Sequence, residues 1–144
     1  MIYCDTSYLV RLYLDEPGSE VVRALCAKHQ VAVAAHAKAE LPAALHRSWR
    51  EGRNSEETFA AVMAMLQVEI QAGAFHWLAL SDSMLDGMVR RFANLPGTTF
   101  LRAADALHLA CAAEHGFAEV YSNDRHFLAA APLFGLRGVN VISP

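Results

Sequence analysis

Five short, mostly apolar runs punctuate the chain, at residues 2–4, 31–34, 75–80, 119–122 and 139–142. Their apolar residues run together rather than alternate, which reads as strands buried on both faces. The longer stretches between them predict helices. Residues 6–14 place Leu9, Val10, Leu12, Tyr13 and Leu14 over more than one helical face. After the turn Glu16-Pro17-Gly18, Ser19 is the expected N-cap of a helix reaching about residue 28. A helix through Glu40, Leu41, Leu45 and Trp49 runs to about residue 51 and ends at Gly52. Pro42 leaves two alternatives there, a start near residue 39 or a kink. Ser55 caps a helix over 55–71 whose first turn carries Glu56 and Glu57. Helices are also predicted over 82–94, 101–115 and 124–131, with a loop at 95–99.

Short buried strands alternating with helices predict an α/β fold, a three-layer α/β/α arrangement around a central parallel sheet. No repeat, low-complexity tract or long linker divides the chain, so residues 1–144 read as a single domain. The 54% apolar and 19% charged composition is that of a globular domain rather than a disordered one. A net charge of -3 argues against wholesale electrostatic binding of nucleic acid and leaves room for a local basic patch. With no apolar run of spanning length and no basic-then-apolar start, the expectation is a cytoplasmic protein without a membrane partner. Cys4, Cys26 and Cys111 are widely spaced and odd in number, without zinc-ligand or disulfide spacing, and read as reduced residues in or near the core.

Four carboxylates change the picture: Asp5 in YCDTSYL, Glu40 in AKAELPAAL, Asp105 in RAADALHLACAA and Asp124 in YSNDRHF. Asp5 and Asp124 follow predicted strands directly, and Glu40 follows a third by a few residues. In open parallel sheets, sites form outside the carboxyl ends of the strands. Asp105 interrupts a helix that is otherwise almost wholly apolar, so it faces the core or a cleft. Each acid has a plainer role open to it. Asp5 and Asp124 suit helix caps, Glu40 an exposed helix face, and Asp105 a pair with Arg102 three residues earlier. Acids gathered at one sheet end would repel, and a hard divalent cation removes that penalty. Such ions activate water and clamp the oxygens of a phosphoryl displacement. Thr6, Ser7 and Ser122 supply small hydroxyls at the same strand ends.

With these residues in view, the sequence resembles the PIN-domain ribonucleases, and among them the VapC-type toxins of toxin–antitoxin pairs. The matching stretches are YCDTSYL, the Glu of AKAELPAAL, RAADALHLACAAEHG, and YSNDRHFLAAAPLFGL leading to VNVI, in family order over essentially the whole chain. RAADALHLA is the most specific of them. The resemblance implies that Asp5, Glu40, Asp105 and Asp124 hold Mg²⁺ or Mn²⁺ as the catalytic set, supported by the hydroxyls of Thr6 and Ser122. It also implies a metal-dependent endoribonuclease acting on structured RNA such as tRNA or rRNA. Homodimerisation and inhibition by a cognate VapB-type antitoxin are implied with it. Two departures stand out: Pro42, two residues after Glu40, and Ala35, where many relatives carry a hydroxyl.

Arg102 and Arg125 neighbour members of the quartet and are candidates for contact with RNA, the carboxylates or the antitoxin. Arg47, Arg50 and Arg53 recur every third residue, as either a phosphate-binding ridge or a solvated face. His108 reads as a hydrogen-bonded structural histidine near the site, since no second histidine stands at ligand spacing from it. Phe59, Met63, Met65 and Leu66 read as core or dimer packing. The alternative function is a catalytically silent PIN-like module that only binds RNA or a partner. Phosphoryl transfer through an aspartyl intermediate at Asp5 lacks both a second adjacent acid and a lysine after Lys38.

Overall fold

The computed structural model describes residues 1–142. Strands β1 (Ile2–Cys4), β2 (Val31–Ala34), β3 (His76–Leu78), β4 (Glu119–Tyr121) and β5 (Arg137–Val139) form one sheet in the order β3-β2-β1-β4-β5. Every pairing is parallel, with Tyr3 opposite Ala32 on one side and Val120 on the other. The helices are α1 (Thr6–Tyr13), α2 (Ser19–Cys26), α3 (Ala37–Arg50), α4 (Glu56–Ala72), α5 (Asp82–Ala93), α6 (Ala103–Glu114) and α7 (Arg125–Ala130). A 3₁₀ turn, Ala131–Phe134, follows α7. The fold is the expected three-layer α/β/α arrangement.

Alternation along the strands feeds two cores. Ile2, Cys4, Val31 and Val33 point to the face covered by α1–α4, together with Leu9, Leu41, Leu45 and Leu66. Tyr3, Ala32, Ala34 and Val120 point to the other face, against Met84 of α5, Leu109 and Ala110 of α6, and Phe127 of α7. Because Ala32, Ala34, Ala106 and Ala110 are all small and buried, α6 lies close against the sheet. The long-range consequence is that Asp105 and His108 ride on the helix held nearest to the strand ends. Among the described residues no helix is long and apolar enough to cross a membrane.

Several boundaries differ from the sequence reading, each for a local reason. The last strand is Arg137–Val139 rather than 139–142. Beyond Val139 the chain leaves the sheet to meet Tyr8, whose hydroxyl donates to Asn140 Oδ1 at 3.0 Å and accepts from the Val141 N–H at 2.9 Å. Gly138 hides this strand in the sequence, yet it is required. A Cβ there would lie 3.1 Å from the Leu128 backbone and 2.9 Å from its side chain. Ser19 is not the N-cap of α2 but its first residue. Its hydroxyl closes the preceding turn, accepting from the Glu16 N–H and donating to the Leu14 carbonyl. Pro42 lies inside α3, which starts at Ala37 rather than near residue 39. The carbonyl that loses its helical donor belongs to Lys38, an exposed residue. The strand expected over 75–80 is confined to His76–Leu78. Cys4 and Cys111 are buried and Cys26 is half-buried, all three as free thiols. Leu66 is in the core, with Phe59 and Met63 packed against it, while Met65 is exposed.

Candidate metal-binding active site

The chain enters the sheet at its centre, winds outward through β2 and β3, and returns to lay β4 on the opposite edge of β1. The reversal of winding leaves a crevice between the carboxyl ends of β1 and β4. Asp5 follows β1 and Asp124 follows β4 by a short turn, so the two carboxylates flank that crevice. Both cap helices, and capping does not exhaust them. Asp5 Oδ1 accepts from the Ser7 hydroxyl at 2.7 Å and the Tyr8 N–H at 3.1 Å. Its Oδ2 accepts from the Ser122 hydroxyl at 2.6 Å. Ser122 Oγ in turn accepts from the Asp124 N–H at 2.9 Å, which ties the two strand ends together. Asp124 uses Oδ1 for the N–H groups of His126 and Phe127, at 2.7 and 3.2 Å. Burial pushes the Asp5 carboxyl up from its ordinary pKa, against the pull of the Ser122 and Ser7 hydroxyls, the His108 charge and the Tyr8 N–H.

Asp105 sits in the first turn of α6, above the same crevice. Burial raises its pKa, and the negative charges of Asp124 and Asp5 push it the same way, with Arg102 only partly offsetting them. Its Oδ2 is buried and meets no hydrogen-bond donor. The pairing with Arg102 is therefore not made, and the Arg102 guanidinium lies over the Phe100 ring, 5.8 Å from its centroid.

Glu40 is held quite differently. Its Oε2 accepts from Thr6 Oγ1 at 2.6 Å and lies 2.7 Å from His108 Nε2 and 3.4 Å from His36 Nε2. Burial alone would raise its pKa, but His108, Thr6 and His36 outweigh burial and bring it down to about 2. The hydroxyl of Thr6 thus aims Glu40, as that of Ser122 aims Asp5. Pro42 does not turn Glu40 away from the cleft, which Glu40 lines while bonded to Thr6.

Asp5, Glu40, Asp105 and Asp124 line one cleft of about 360 Å³, with Thr6, Ser7, Arg47, Arg102 and His108 on its walls. Arg47 is the member of its basic series that reaches the cleft. Arg53 is drawn to Glu16 and Glu51, and Arg50 reaches Glu51. Arg125 is exposed against the His126 ring and does not line the cleft. His108 is buried, with Nδ1 2.8 Å from the Tyr3 hydroxyl, and it also touches the site through Glu40. Sequence reading passed over His36, whose ring stands 4.2 Å from that of His108. Its signal was available: His36 and Glu40 are four apart at the start of one helix and share a face.

The residues fit a hard divalent cation. Asp5, Asp105 and Asp124 line one cleft and one buried oxygen of Asp105 has no donor, although among the described residues only the ligand atoms of His36, Glu40 and His108 already lie within 4.8 Å of one another, so the three aspartates would draw closer around an ion. A positive ion supplies what that oxygen lacks, and oxygen-only donors suit Mg²⁺ or Mn²⁺.

Residues 2–132 match the profile of the PIN domain. No curated protein matches the sequence. Among solved structures, the chain is similar to VapC20 of Mycobacterium tuberculosis, described as a sarcin-ricin loop cleaving toxin. That match has a TM-score of 0.68 and 18% identity, covering 90% of this chain and 95% of that one. It is similar to VapBC2 of Rickettsia felis bound to a promoter DNA fragment, with a TM-score of 0.65 and 16% identity over 97% and 98% of the two chains. It is also similar to FitAB bound to a DNA fragment, with a TM-score of 0.69 and 17% identity over 100% and 97%.

Proposed function

The chain belongs to the PIN-domain family, and on that premise we propose that it is a Mg²⁺- or Mn²⁺-dependent endoribonuclease, the toxin of a VapBC-type pair. Its substrate is a structured RNA, tRNA or rRNA, and it works in the cytoplasm as a homodimer of single-domain subunits restrained by a VapB-type antitoxin. The observation that carries this reading is the donorless buried oxygen of Asp105 in a cleft shared with Asp5 and Asp124. A protein that kept these acids only for stability would have paired that oxygen.

Asp5, Asp105 and Asp124 would hold the ion, with Glu40 at the same cleft. When bound, it supplies Lewis acidity toward the phosphodiester and lowers the pKa of water at the site. The chain's own groups do the positioning. Ser122 and Ser7 fix both oxygens of Asp5 before any ligand arrives, so little reorganisation is left for the reaction. Thr6 fixes Glu40, which stays ionised at neutral pH. Arg47 and Arg102, on the walls of the cleft, would meet backbone phosphates.

Expression of the wild-type chain in cells is expected to arrest growth and to leave a discrete set of RNA ends. Asp5→Asn, which keeps the acceptor for the Tyr8 cap, is expected to remove both while the protein still folds. Undiminished cleavage by folded Asp5→Asn would overturn the role given to this residue.

A further inference from the structure

The site's fourth acid, Glu40, lies against two imidazoles as well as the Thr6 hydroxyl. We propose that His36, Glu40 and His108 form a second metal site, for a zinc-class divalent ion, distinct from the carboxylate site of Asp5, Asp105 and Asp124. One ligand atom from each of the three residues lies within 4.8 Å of the other two. Two imidazoles and one carboxylate, with a further position left open, are a recurrent zinc donor set. Tetrahedral ligands about 2.1 Å from zinc stand about 3.4 Å apart. Glu40 Oε2 and His36 Nε2 are already 3.4 Å apart. Glu40 Oε2 and His108 Nε2, now 2.7 Å apart, need to open by only a fraction of an ångström once an ion replaces their hydrogen bond.

His36 gives the strongest independent sign. Both of its ring nitrogens are buried without a hydrogen-bond partner. The polar groups nearest the ring are the Glu40 carboxylate, 3.4 Å away, and the Ala104 backbone, neither in good hydrogen-bond geometry, and an ion would give the buried nitrogens a better partner. His108 has the outer partner that metal-bound histidines require, since its Nδ1 is 2.8 Å from the Tyr3 hydroxyl. That hydroxyl can donate to Nδ1 or accept from it, so it serves either tautomer. Glu40 and His108 border the cleft, so water reaches the open position from there.

The proposal does not depend on nuclease activity, and its test reads metal directly. Metal-stripped protein is titrated with Co²⁺ in excess Mg²⁺, which fills hard oxygen sites first. The expected result is one equivalent of Co²⁺ with the intense visible absorption of a four-coordinate nitrogen-containing site, displaced by Zn²⁺. His36→Ala is expected to weaken that binding by at least about tenfold, and Asp105→Asn to leave it in place. Wild-type affinity in His36→Ala would overturn the proposal, as would loss of binding in Asp105→Asn alone. X-ray absorption of the Zn²⁺-loaded wild-type protein decides the matter without any variant: imidazole scattering supports the site, and an oxygen-only shell refutes it.

Discussion

Asp5 answers two demands with one side chain, capping α1 through Oδ1 and facing the crevice beside Asp124. Asp105 answers only one, and it is the residue whose stability and function should part company. Without an ion its ionised form is disfavoured by burial and by Asp124 and Asp5, so its folded pKa lies above the unfolded value. A carboxyl raised in this way favours the fold at low pH and weighs against it as pH rises through the folded pKa. Asp105→Asn is therefore expected to raise the melting temperature of metal-free protein at pH 7 by about 2–4 °C, the change that roughly 1 kcal/mol makes in a domain of this size. The gain should vanish well below the carboxylate range, and the variant should no longer be stabilised by Mg²⁺. A melting temperature that falls at pH 7 in metal-free Asp105→Asn would show that the carboxylate is paired after all.

At the scale of elements, the fold contains a turn that admits no side chain. Gly18 has φ 84°, and a Cβ on it would lie 2.5 Å from Ile142 Cγ2. Gly18→Ala combines left-handed strain with that overlap, and is expected to cost about 1–3 kcal/mol, read as a lower denaturation midpoint with unchanged slope. An unchanged midpoint would mean that the turn and Ile142 separate without penalty. Which elements were legible in the sequence follows the same physics. Val31–Ala34 and the course of α6 could be read because continuous apolar runs leave no other solution. β5 could not, because Gly138 and Arg137 carry no strand signal, and only the fold shows them pairing with β4 while Gly138 lies close against Leu128 of α7. Ser19 looked like a cap because the sequence shows its hydroxyl but not the Leu14 carbonyl that it bonds. Asp5, Glu40 and Asp124 were legible together from their places after strands, and Asp105 from its interruption of an apolar helix; all four line one cleft. The partnership of His36 with His108 was not, since it joins α3 to α6 through the fold alone.

For the whole molecule, sheet order explains why residues from Asp5 to Asp124 meet. Beginning at the central strand and reversing after β3 brings the first and fourth strand ends side by side, and α6 closes over them. A chain of net charge -3 thereby gathers four acids in the cleft proposed to take RNA, with Arg47 and Arg102 on its walls. On that proposal a cation has to take up the negative charge. The most direct test is RNA cleavage by purified, metal-stripped protein as Mg²⁺ is added back, with wild type and Asp105→Asn compared on the same RNA. Cleavage that appears only with added ion in the wild type, and is absent from the folded variant at every concentration, is the expected result. Cleavage that persists after chelation, or that Asp105→Asn carries out as well as the wild type, would contradict it.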